Sequence, residues 1–328
     1  MPKKRLYKYL FNLKSLLALL LIIFLLSGII RTFILQSYKI GKDVYFKEIK
    51  AGDKIIINKI KTGSRLPITL LSLPFFPDIY SSAILLPYKH LFAVKPELFD
   101  LVLFNNPQDT LLPIDKRNLM ISRIVGLPGD TIEIRNNILF INNKVVEDSS
   151  LNTYYNFRVV ADTLNLTDSI IQSLSILNID TISDMGIYQI IMLQKSVHQI
   201  KKYGDIKFIK KLSIPAKNNH RLFFPDDEIH LWNECNFGPL VIPEKDAVIT
   251  INRNNFEIYK HILINDEKCI ISWVGDKCII NKNKGTYKFK MNYYFVLDDI
   301  RNLPNDSRKW GFLPESHLIG TYWWTWSH

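Results

Sequence analysis

The sequence predicts a mostly-β protein standing behind one apolar N-terminal helix, and three stretches carry that expectation. Leu16 to Ile30 holds no charge, and extended through Arg31 to Leu35 it reaches the roughly 20 residues that cross a bilayer as a helix. Tyr293 to Leu297, read YYFVL, has the aromatic and β-branched composition of a strand and breaks into a polar loop. Phe99 to Pro107, read FDLVLFNNP, is a strand that starts from a turn and is ended by proline.

Taken in order, the chain begins with Lys3, Lys4, Arg5, Lys8 and Lys14 and has no acidic residue before the apolar run. A cleaved leader would need a small-x-small pair after that run, whereas Ser27-Gly28 lies inside it and Arg-Thr-Phe-Ile-Leu-Gln follows, so an uncleaved anchor is expected. The basic flank places the N-terminus in the cytoplasm and the rest of the chain outside, with Arg31 able to snorkel. Lys plus Arg is 42 against 31 for Asp plus Glu, a formal net charge of +11. These cations are spread along the chain without an aromatic-interleaved stripe, which argues against nucleic acid and leaves an anionic membrane surface as the partner of that charge.

Residues 147–220 mix Ser, Thr, Asn and Asp with Ile and Leu at helical spacing around Thr167 to Leu177 and Asp184 to Gln194. From Phe223 to Tyr287 the text alternates in strand fashion. Cys269 and Cys278 flank Val274-Gly275-Asp276, so they would face each other across a hairpin, as a disulfide or as buried free thiols. The seven histidines are scattered, and neither a metal nor a cofactor is expected. The closing run Gly320 to Trp326 is short for a span and suits a last strand or the membrane interface.

The richest stretch is Met291 to Glu315, MNYYFVLDDIRNLPNDSRKWGFLPE. Its loop carries Asp298, Asp299, Arg301, Asp306 and Arg308. Asp306 and Arg308 lie two apart, able to pair with each other or with Arg301 and Asp299; a solvated turn is the plain alternative. A second box runs Arg123-Ile124-Val125-Gly126-Leu127-Pro128-Gly129-Asp130 and continues as TIEIRNNILFINNKVV to Val146. Together the two boxes resemble those of bacterial type I signal peptidases, of the long Bacteroidota form. The first is similar to that family's Gly-Asp-Asn-Arg, Asp-Ser-Arg and Trp-Gly-Phe signature, and the second to its strand, tight turn and hairpin. Arg31-Thr32-Phe33 leading to Tyr38-Lys39-Ile40 also looks like the way such chains pass from anchor to catalytic domain.

The resemblance implies a serine nucleophile and a lysine base, and the chain departs from the pattern at both. The family's Ser-x-Ser-Met-x-Pro-Thr-Leu places the nucleophile nine residues before the Asp of a Gly-Asp, and counting back from Asp53 gives Val44. Lys42 stands at the auxiliary oxyanion serine. Ser37, the nearest hydroxyl, is seven residues too early. The lysine that would precede Arg123 is Ser122. Asp298 replaces the glycine beside that lysine, and Pro304 replaces the serine that would bind its amine. Arg123, Asp130, Asp299, Arg301, Asp306 and Arg308 are retained as supporting residues.

The expected organisation is a basic tail at 1–14, a transmembrane anchor at 15–37, a signal-peptidase-type β-sheet or barrel core from 38–146 and 285–328, and an inserted cap or second domain at 147–284. The expected function is a single-pass inner-membrane protein of the signal-peptide processing system, catalytically inactive, whose partners are signal peptides or other extended peptides, membrane lipid, or an active paralogue. The alternatives are an active serine endopeptidase with a non-standard residue set and a structural envelope protein.

Overall fold

The computed structural model describes residues 2–41, 46, 49, 52–73, 76–146, 153–183, 185–218, 223–302 and 305–326, with backbone only at some positions, the first helical turns among them. Lys42, Val44 and Pro304 lie outside the described residues. The helix Pro2–Phe33 contains one segment, Leu13–Phe33, of mean hydropathy 2.6 and with none of its residues buried, long and apolar enough to cross a membrane. It ends four residues before the expected limit at 37, because Leu35–Lys39 is drawn into a strand against Lys54–Asn58. That strand opens a seven-stranded antiparallel sheet in the order Leu35–Lys39, Lys54–Asn58, Leu318–Trp326, Leu101–Asn105, Leu119–Gly126, Tyr293–Leu297 and Leu313–Pro314. All five residues of Leu101–Asn105 and of Tyr293–Leu297 are buried, which is why both read as continuous apolar runs and not as alternating ones.

The second box forms the hairpin Thr131–Arg135 and Ile138–Ile141, turned by Asn136 and Asn137 at positive φ, where asparagine is the least strained side-chain-bearing residue. Phe237–Val241 joins its outer edge. Phe237, Leu240, Ile251 and Ile258 pack in one core with Ile132, Tyr293 and Phe295. Residues 154–211 build a separate four-stranded sheet with its own core around Tyr155, Phe157, Ile190 and Met192.

Three local expectations meet different outcomes. The helix around 167–177 forms as Asp168–Ser173. Asp184 lies outside the described residues, and the rest of the stretch expected to be helical through Gln194 instead contains the strand Ile187–Leu193, because IYQIIML is rich in β-branched and aromatic side chains and pairs along Tyr154–Leu164. Within the stretch read as alternating strands lies the helix Phe256–Asn265, which buries Ile258, Tyr259, Ile262 and Leu263 along one face. Cys235, Cys269 and Cys278 are buried free thiols.

Candidate functional site

The polar loop that follows Tyr293–Leu297 is an interior charge network. Arg123 reaches across from the neighbouring strand and holds Asp299 with one guanidinium edge, Nε to Oδ1 at 2.9 Å and Nη2 to Oδ2 at 2.8 Å. Asp306 and Arg308, both with fully buried side chains, pair in the same two-pronged manner at 3.1 and 2.7 Å. Asp306 also takes the backbone N–H groups of Asp298 and Arg308, so it caps the short helix Ser307–Trp310 while tying the loop closed. Arg308 donates its remaining nitrogen to the carbonyls of Arg301 and Glu234. Arg301 is buried, and its backbone accounts for its placement, since its N–H meets the carbonyl of Tyr154 while Tyr154 N–H meets that of Asp299. Asp130 serves a turn. Its carboxylate accepts from Leu127 N–H and from Asn142 Nδ2, holding Leu-Pro-Gly-Asp against the hairpin.

Ser122 lies on Leu119–Gly126 with 1% of its surface exposed. Its hydroxyl contacts Asp298 Oδ1 at 2.6 Å and the carbonyl of Ile121 at 2.8 Å. Asp298 is thus in reach of the position expected for the lysine, in direct contact with the side chain that stands there. Burial, reinforced by the charge of Asp306 and opposed by the Ser122 hydrogen bond, pushes the Asp298 carboxyl up to about 7. A carboxyl raised in the folded state keeps a proton that the unfolded chain has lost, so stability falls as pH rises from about 4 to about 7. Asp298→Asn removes the charge and keeps the shape. Its amide can donate to Ser122, which still donates to Ile121. The folding stability of this variant is expected to match the parent near the bottom of that window and to exceed it above the top by on the order of 4 kcal/mol. Equal pH profiles would contradict a buried, charge-penalised Asp298.

A cavity of about 670 Å³ opens where the apolar helix meets the sheet. Its lining includes Gln36, Ser37, Tyr38 and Lys39, the run 115–119, and Arg31, Lys59 and Arg65. Lys59 directly follows the strand Lys54–Asn58, and nothing in its own segment marks it as functional. It is 8% exposed and donates to the carbonyls of Arg31 and Thr32 and to Gln36 Oε1, at 2.9, 3.2 and 2.6 Å, capping the end of the helix from afar. Burial first, then the charges of Arg65 and Arg31, pull its amine down to about 7. Among the described residues no group of three His, Cys, Asp or Glu stands close enough to hold a metal ion.

The family model for signal peptidase, peptidase S26, matches residues 13–197 and 242–327, which takes in the helix, the whole main sheet and both polar boxes. The chain belongs to the signal peptidase S26 family. It is 24% identical over 317 residues to a signal peptidase I of Buchnera aphidicola subsp. Baizongia pistaciae, covering 96% of this chain and 75% of that protein. A second Buchnera aphidicola signal peptidase I, from subsp. Acyrthosiphon pisum, is 23% identical over 91% of this chain and 70% of its own length. A Rickettsia prowazekii signal peptidase I is 29% identical over 126 residues, 38% of this chain and 42% of that one. As a member of the signal peptidase S26 family the chain is tied to signal-peptide processing, with one helix able to anchor it. The Arg123–Asp299 and Asp306–Arg308 pairs need no chemistry to explain them, since they hold the loop that follows Tyr293–Leu297.

Proposed function

We propose that this signal peptidase relative binds extended peptides without cleaving them. The observation that carries the reading is the Ser122 hydroxyl seated 2.6 Å from the Asp298 carboxyl, where the family resemblance calls for a lysine beside a glycine. A general base must accept the nucleophile's proton. A serine cannot, and Val44 and Lys42 at the expected nucleophile and oxyanion positions bring neither hydroxyl. Peptide binding needs only an open strand edge and shallow pockets. Leu35–Lys39 is the terminal strand of the main sheet, so its outer edge supplies the backbone groups. The inserted segment 147–284 and an active paralogue are the remaining elements of this reading, the second as the partner to which a silent subunit would present its peptide.

A second reading, an active peptidase with a non-standard residue set, has one observation in its favour. The Asp298 carboxyl, raised to about 7, already touches the Ser122 hydroxyl. The 1% exposure of Ser122 opposes it, because a nucleophile must meet the scissile carbonyl.

On this reading the chain is a single-pass inner-membrane protein with its N-terminus in the cytoplasm and the folded domain outside. Trp323, Trp324 and Trp326 are more than half exposed on the last strand, and Leu70, Leu71, Ile79 and Leu85 crowd the hairpin of Thr69–Leu73 with Phe76–Leu85, which suits contact with lipid. A reporter fused after Asp130 is expected to register outside and one fused at Leu10 inside; a cytoplasmic signal from the first would overturn both the orientation and access to exported peptides. Full-length protein in detergent is expected to bind a signal-peptide segment with small residues at −1 and −3, to leave it intact, and to bind more weakly when those residues are bulky. No binding would favour the structural envelope reading.

A further inference from the structure

A second, much smaller cavity of about 10 Å³ lies where three parts of the chain meet. Asn137 brings the turn of the hairpin, Tyr155 the first strand of the sheet built by residues 154–211, and Arg301 the loop that follows Tyr293–Leu297. Ile134, Leu139 and Leu297 supply apolar walls. Arg301 and Asn137 are each only 6% exposed. Each holds one buried polar atom that meets no hydrogen-bond partner among the described residues: Arg301 Nη1, a donor, and Asn137 Oδ1, an acceptor.

The neighbouring polar groups are engaged elsewhere. Arg308, the second guanidinium in the lining, holds Asp306 and donates Nη1 to the carbonyls of Glu234 and Arg301. The Tyr155 hydroxyl donates to the carbonyl of Asn137 at 3.3 Å, and Asn137 Nδ2 to that of Leu212 at 3.4 Å. Charge is not what the cavity lacks. Asp299 and Asp306 act on Arg301 as counter-charges and Arg308 as a like charge, while the carboxylate oxygens themselves are taken by Arg123 and Arg308. What is missing is an acceptor for Arg301 and a donor for Asn137, and a buried group left without either costs folding free energy. An anion would serve Arg301 and be repelled by the Asn137 oxygen; a cation would do the reverse. A water both accepts and donates, and a space of this size has room for roughly one.

We propose that the cavity binds a single water that accepts from Arg301 Nη1 and donates to Asn137 Oδ1, which makes Arg301 and Asn137 positioning residues for the loop that carries Asp298 and Asp299. The inference is independent of the peptide-binding reading. Direct bonds already sew this loop to the sheet of 154–211, Tyr154 N–H to the carbonyl of Asp299 at 2.8 Å and Arg301 N–H to that of Tyr154 at 3.0 Å. The water supplies the connection to the hairpin on the other side.

The test begins with crystals of full-length protein in detergent, grown with bromide in place of chloride. The expected result is one water-sized density peak about 2.7 to 3.2 Å from both Arg301 Nη1 and Asn137 Oδ1, without anomalous signal at the bromine edge. A bromide peak would make this an anion site, and an empty cavity or a peak touching one of the two atoms would equally overturn the proposal. Hydrogen exchange reads the link in solution. Asn136 and Asn137 stand at φ 49° and 68°, a turn in which Asn-Gly is a favoured pair, so Asn137→Gly keeps the hairpin and removes the acceptor. Amide exchange across 298–302 is expected to quicken about tenfold in this variant while Tyr293–Leu297 stays unchanged, and to return toward the parent rate in Asn137→Asp, which keeps an acceptor oxygen. Loop exchange equal in the parent and Asn137→Gly, or equally fast in both variants, would overturn the positioning role.

Discussion

Arg308→Ala is expected to cost on the order of 3 to 5 kcal/mol of folding stability, because it leaves Asp306 as a charged group with no counter-ion in a site of zero exposure. The loss is larger than for an ordinary core truncation, since Arg308 also satisfies the carbonyls of Glu234 and Arg301. For a chain of this size the thermal midpoint is expected to fall by about 10 °C or more. Arg308→Met combined with Asp306→Asn is expected to recover part of that loss, because the pair is removed together and the asparagine can still accept one backbone N–H. A single variant within a few degrees of the parent would mean that the network is solvated and that its role in closing the loop has been overstated.

The second large effect concerns chemistry. Nucleophile and base act as a unit, and losing either member of a serine hydrolase pair costs on the order of 10⁴ to 10⁶ in rate, nearly as much as losing both. Val44→Ser alone and Ser122→Lys alone are therefore expected to stay silent. The lysine introduced at 122 would stand within reach of the Asp298 carboxyl that now contacts Ser122 at 2.6 Å, and an ion pair there would keep its amine protonated and unable to act as a base. Asp298→Gly removes that partner, and Pro304→Ser supplies a hydroxyl for a neutral amine. The quadruple variant Val44→Ser, Ser122→Lys, Asp298→Gly, Pro304→Ser is expected to cleave a signal peptide at a measurable rate, still limited by Lys42 at the auxiliary oxyanion position. The comparison is of initial rates for the parent, each single, the Val44→Ser/Ser122→Lys double and the quadruple. Activity in the double equal to that in the quadruple would show that Asp298 does not control the amine.

How much of this was legible in the sequence depended on how local the cause was. Tyr293–Leu297 could be read because a strand buried on both faces writes its burial into consecutive letters, and the hairpin after Asp130 through the family resemblance of its box. The pairing of Asp306 with Arg308 was also local, two residues apart within one loop. The choice of Asp299 as the partner of Arg123 was not, since 176 residues separate them and only the sheet brings them together. Lys59 shows the limit most clearly. Nothing in its own segment distinguishes it from any lysine after a strand, and its role comes from helix carbonyls 27 and 28 residues away. The misread elements, Ile187–Leu193 and Phe256–Asn265, share a cause: isoleucine-rich text with interspersed polar residues satisfies both periods over a short window, and packing decides between them.

The most direct test is single-turnover cleavage, with wild-type full-length protein in molar excess over a preprotein and in lipid nanodiscs, alongside an active signal peptidase I as the positive control. The expected result is an intact preprotein throughout the time in which the control converts its substrate completely. Product at the small-residue site from the wild-type chain, abolished by Ser122→Ala or Ser37→Ala, would contradict the reading of this family member as a silent peptide binder and would place its nucleophile at the serine whose loss stops the reaction.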